Sequence, residues 1–168
     1  MSSLGFNQHN QIVSGFVPVD MQTGANTADV VSMKGYNHLT IIFFKDAGTA
    51  GDDPTLTILQ GTDVAFATNK ALNFTDIYVK QDTLLSTVGQ FTHNTQAAAN
   101  TYTDATSAED QAIWVVEFDA QDLDTDNNFD CVRASVADVG GNAQLGCLLY
   151  ILSEPRYPQD VQISAIVD

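Results

Sequence analysis

Short apolar stretches recur along the chain at intervals of roughly eight to twelve residues, each bounded by Gly, Asn, Asp or Pro, which is the spacing of strands and turns. Residues 11–19 read as the first strand. Pro18 cannot donate to a ladder and places that strand at a sheet edge or ends it. Residues 28–33 are short and apolar. Residues 39–44 form a nearly unbroken apolar run, which implies burial on both faces or a central place in a sandwich. Residues 55–60 alternate Thr with Leu and Ile, and 73–80 alternate again. Residues 83–88 and 90–93 carry further strand signals, whereas 94–110, rich in Ala, Thr and Asn, read as a long loop or hairpin tip. The run 112–118, with Trp114, predicts a central strand. Residues 129–136 alternate, Gly140-Gly141-Asn142 turns the chain, and 143–152 return it. Pro155 and Pro158 stiffen an arm whose last segment, 161–167, is β-prone and could close its own sheet or reach a neighbour.

Roughly eight to ten strands without helical interludes predict an all-β protein, a β-sandwich of jelly-roll type or a related barrel. The division expected is a flexible N-terminal segment over 1–10, a sandwich domain over 11–152 and a C-terminal arm over 153–168.

Composition sharpens this. Of 21 acids, eighteen are Asp and three Glu, and Asp caps turns where Glu builds helices. Six cations leave a formal net charge of −15. That balance disfavours nucleic acid and anionic membrane surfaces as partners. No apolar run approaches the roughly 20 residues of a membrane helix, and residues 1–10 hold neither a basic residue nor an apolar core of a secretory signal. Cys131 and Cys147 match no zinc or redox spacing. If the turn at 138–142 made a hairpin, the two could share a face, but reduced core thiols are the expectation.

Catalytic chemistry finds little purchase. His9, His38 and His93 are dispersed and neither Cys has a neighbouring His, so the expectation is a protein that is not an enzyme. The Asp-rich run 119–130 sets Asp122, Asp124 and Asp126 at alternate positions, like the first half of a calcium loop. The second half fails: Asn127 stands at the glycine position and Arg133 at the place of a bidentate Glu. The plainer reading is a solvated connection in which Asp and Asn cap their own turns, with calcium the only ion worth considering.

Several stretches resemble the head decoration, or capsid cement, proteins of tailed bacteriophages. These are Asp29-Val-Val-Ser-Met-Lys-Gly-Tyr-Asn-His-Leu-Thr-Ile-Ile-Phe-Phe44, Lys70-Ala-Leu-Asn-Phe-Thr-Asp-Ile-Tyr-Val-Lys80, Trp114-Val-Val-Glu-Phe-Asp-Ala-Gln-Asp-Leu-Asp124, Phe129-Asp-Cys-Val-Arg133 and Gln144-Leu-Gly-Cys-Leu-Leu149. The resemblance implies a structural virion protein on the capsid exterior, assembled in the host cytoplasm. It also implies a homotrimer set on the major capsid protein at symmetry axes or capsomer junctions. Within it, Arg133 is expected to pin the acidic turn. Gly5, Phe6, Val161, Ile163, Ile166 and Val167 are the candidates for gripping capsid or sister subunits, since extended segments gain many backbone hydrogen bonds at a neighbour's edge. The alternative is a carbohydrate- or calcium-binding jelly-roll module of a phage tail or fibre, with Tyr102 and Tyr157 as the loose aromatics.

Overall fold

The fold comes from a computed structural model, which describes residues 5–106, 109–157 and 161–167. Its strands are β1 (Asn10–Asp20), β2 (Asn26–Thr27), β3 (Val31–Ser32), β4 (Tyr36–Lys45), β5 (Thr55–Gly61), β6 (Asn69–Ala71), β7 (Phe74–Asp82), β8 (Thr92–Ala99), β9 (Thr101–Thr103), β10 (Gln111–Asp119), β11 (Cys131–Val136) and β12 (Leu145–Pro155). Among the described residues, helix is limited to three-residue 3-10 turns. The larger sheet runs β1-β12-β4-β10-β7-β8. In the smaller, β11 pairs β5, with β2 and β3 along the free side of β11 and β6 and β9 along that of β5. Apart from the β2–β3, β5–β6 and β7–β8 connections, the chain changes sheet at each step, so β1-β12-β4-β10 faces β2/β3-β11-β5-β6/β9. That is a jelly-roll order, and the β7–β8 hairpin widens its larger sheet.

Alternation along the strands supplies the core. Leu39, Ile41 and Phe43 of β4, Trp114 and Val116 of β10, and Leu148, Tyr150 and Leu152 of β12 point inward and are buried. They meet Leu56 and Ile58 of β5 and Val132, Ala134 and Val136 of β11. Each Leu, Ile, Val or Phe among them contributes roughly 1.5–3 kcal/mol by leaving water. Trp114 anchors the middle, its ring 5.3 Å from Phe43 and 4.9 Å, edge-on, from Tyr102. The free side of β11 is paired by β2 and then β3, with a gap between them. There Ala28 N–H donates to Ala134 O, and Ala134 N–H donates across the sandwich to the Tyr150 hydroxyl at 2.8 Å. A tyrosine of one sheet thus completes the hydrogen bonding of the other.

The two ends of the sandwich differ. Where β4 begins and β12 ends, the segment 161–167 packs back as a strap. At the other end, the Asp52 carboxylate accepts from both Asn142 N–H and its side-chain amide. Gly140 takes φ 109° there, a conformation that favours glycine.

Several expectations need correction. Residues 39–44 are not buried on both faces: Leu39, Ile41 and Phe43 are buried, but Phe44 is 47% exposed. Residues 83–88 hold a 3-10 turn, Leu85–Thr87, because the Asp82 carboxylate captures Thr83 N–H and the Thr87 hydroxyl. The region 94–110 is largely strand, β8 and β9, pairing β7 and β5. Cys131 and Cys147 form no disulfide, as expected, but they lie in opposite sheets instead of sharing a face, and Cys147 is not a core residue: it faces outward, only partly covered. The first strand begins inside the expected N-terminal segment: a 3-10 turn spans Phe6–Gln8, and β1 already starts at Asn10. The arm begins later than 153, since β12 runs through Pro155, and 161–167 forms no strand. Residues 1–4 and Pro158 lie outside the described residues.

Candidate functional site

The sequence candidates at either end of the chain come together. Gln162 Nε2 donates to Gln8 O at 2.6 Å, joining the strap to the segment before β1. The Tyr36 hydroxyl donates to Ile163 O at 2.5 Å, and Ser32 N–H donates to Ala165 O at 2.6 Å. Ala165 is buried as part of the core, and Gly35 leaves the space that the Ile163 side chain fills. The strap is therefore held by its backbone and by small or inward side chains. Its other apolar groups remain outside: Val161 is 79% exposed and Ile166 and Val167 are more than half exposed, and in the segment before β1 Gly5 and Phe6 are exposed as well.

The acidic connection is two 3-10 turns, Ala120–Asp122 and Thr125–Asn127. Asp122 accepts from Asp119 N–H at 2.8 Å. Asp124 pairs with Lys70 and accepts from Asn127 Nδ2 at 2.9 Å, and these donors, Lys70 first, hold its carboxyl below the usual range. Asp126 sits in the second turn. Asp122 and Asp124 are thus turned to caps and an ion pair, and among the described residues no three His, Cys, Asp or Glu side chains gather where they could hold a metal ion. Arg133 does not pin this turn; its guanidinium lies 4.3 Å from the centre of the Phe66 ring.

His38 lies 2.9 Å from Asp119 and 3.5 Å from Glu117. Burial alone lowers its pKa, but the two carboxylates outweigh burial and raise it. His93 is 2.7 Å from Asp76 and stacks on Tyr78 with ring centres 4.9 Å apart. His9 stands apart and exposed. Of the aromatics expected to be loose, Tyr157 is exposed, but Tyr102 packs on Trp114 and its hydroxyl accepts from Asn94.

One surface escaped the sequence reading. On the outward face of the larger sheet, Ser14, Leu149, Ile42, Val115, Tyr78 and His93 stand in one row across six strands. The next row is Cys147, Phe44, Ile113 and Lys80; the row on the other side is Ile12, Ile151, Thr40 and Glu117. The first two rows hold no carboxylate, in a chain with 21 acids. Ile42, Ile113 and Val115 are only half-buried, and Ile12, Phe44 and Leu149 are exposed. The signal was present as missing alternation: 39–44, 112–116 and 147–152 are apolar on both faces, and these strands are neighbours.

Compared with known proteins, the chain matches no family model, and no curated protein is similar to it.

Proposed function

We propose that this protein is a structural virion protein, a cement that binds the outer surface of a phage capsid and stabilises it, without catalysis of its own. Its partners are the major capsid protein and sister copies, grouped at symmetry axes or capsomer junctions as the homotrimer that the resemblance implies. The observation that carries the reading is the strap. A segment fixed to the core by Ala165 and three backbone-directed hydrogen bonds displays Val161, Ile166 and Val167, and its Gln162 ties it to the Phe6–Gln8 turn. Apolar anchors held in place lose little conformational entropy on binding, which favours docking on a rigid shell. The net charge of −15 supports a place on the outside, away from packaged DNA.

The test is to mix the purified protein with capsids that lack it. Stoichiometric, symmetric binding that raises the temperature at which the shells rupture is expected. Val161→Asp with Ile166→Asp should weaken it by about tenfold or more, the scale of lost interface anchors. The carbohydrate-binding alternative would use Tyr157 and the Tyr78–His93 stack. Absence of capsid binding, together with calcium-dependent binding to glycans, would replace the proposal by that one.

A further inference from the structure

We propose that the outward face of the larger sheet is a pairing surface on which a second copy of this chain docks, sheet against sheet, about a two-fold axis. The inference goes beyond the capsid reading and does not depend on it.

Apolar side chains facing water across several neighbouring strands are what a sandwich has on its inside. Here Leu149, Ile42 and Val115 stand abreast, with Phe44 and Ile113 in the next row, all of them exposed or half-buried among the described residues. Contiguous apolar area of this kind marks an interface. The fourteen positions of these three rows, at about 4.8 by 6.7 Å each, give a projected area of about 450 Å² per copy. The corrugated accessible surface is larger, which places the contact among weak, concentration-dependent pairs below the roughly 800 Å² per partner of a stable one.

Two features select a second copy as the occupant. The first is charge. Copies carrying −15 each repel one another in most approaches, and the rows through Ile42 and Phe44 are where carboxylates are missing. The second is self-complementarity. Lys80 lies one row to one side of the Val115 row, at 4.7 Å over the Phe91 ring, while Asp76 and Glu117 lie one row to the other side. A two-fold axis in the plane of the face, crossing the strands at the Val115 row, exchanges these rows. It lays Phe44 of one copy over Thr40 of the other, Cys147 over Ile151, Ile113 over Glu117, and Lys80 over Asp76 with Glu117 on the neighbouring strand. Such a contact is isologous and closes at two copies. Sheets stacked in this way sit about 10 Å apart with strands within about 30°. Any three-fold grouping on a capsid would use other surfaces.

The experiment is the mass in solution over a concentration series. The wild-type chain should reach twice its monomer mass. Val115→Asp should weaken pairing by roughly a hundredfold, because it buries an unpaired charge. Lys80→Glu, a change at a half-buried position on the outward face that leaves the core untouched, should weaken it by about tenfold, and adding Asp76→Lys should recover most of that loss. Far-UV circular dichroism confirms that each variant is folded. A wild-type chain that stays monomeric at about 0.1 mM, where even weak specific pairs form, would overturn the proposal. So would an oligomer whose mass is indifferent to Val115→Asp and Lys80→Glu. Capsid binding by a monomeric wild type would sink the pairing alone, and pairing without capsid binding would sink the cement reading alone.

Discussion

Tyr150 carries its hydroxyl from one sheet to the other, and Ala134 N–H has its partner there. Burial pushes the phenol's pKa up, so the group stays neutral throughout the physiological range. Tyr150→Phe keeps the ring and its packing but leaves a buried N–H without an acceptor. It should cost about 1–3 kcal/mol in urea-induced unfolding with little change in the slope of the transition. Lys45 is the other residue whose environment matters beyond its volume. It is buried, its ammonium donates to Asp46 O at 3.2 Å and Asp110 O at 2.5 Å, and burial brings its pKa down from 10.5 to about 8 against the upward pull of Asp110 and Asp46. The unfolded chain therefore holds a proton above pH 8 that the folded chain has released, and stability gains from this group as pH rises from about 8. Lys45→Met should remove that gain, seen as a flatter stability profile than wild type in unfolding measured between pH 8 and 9.5. Neither role was legible in the sequence. Tyr150 and Lys45 look there like ordinary strand residues, and their chemistry arises from a gap between β2 and β3 and from the closed end of β4.

Strands that pack one face on the core were readable because burial imposes a period of two. β5, β7 and β11 alternate, and β10, with Trp114, is central as the sequence indicates. Elements with no buried stripe left no period to read. β8 is an edge strand whose Thr, Asn, Gln and Ala side chains are all exposed or half-buried, so its residues resembled a loop. The turn Leu85–Thr87 was masked by its apolar residues, because the deciding interaction is a side-chain capture by Asp82 five residues from Thr87. The strap shows the same limit: residues 161–167 have strand-like composition, yet they are placed by Ala165 in the core and by Tyr36 and Ser32 from other elements. Ala165→Asp should lift it by burying a charge among apolar groups, lowering stability by about 1–3 kcal/mol. Limited proteolysis should then cut within 161–167 before the sandwich opens.

As a whole the molecule is a jelly-roll sandwich whose acids are spread over its loops and margins while one broad face stays apolar. The exposure of Phe6, Val161, Ile166 and Val167 was legible because they stand in segments without a clear internal partner. The larger apolar face was legible only as an anomaly, strands apolar on both sides in a sandwich with only two layers. Core and interface positions share one residue vocabulary, so a sequence cannot separate them until the layers have been counted. The ends of the sandwich also give the molecule a direction. The strap closes one end, and the Asp52-tied turn lies at the other, where a side chain at Gly141 would meet open space. On the proposed reading, in which the strap grips the shell, a peptide spliced in at Gly141 would ride on the remote side, whereas the same cargo joined to the strap would compete with that contact. Used as a display scaffold on a particle, this fold would have an inner pole to leave alone and an outer pole to load.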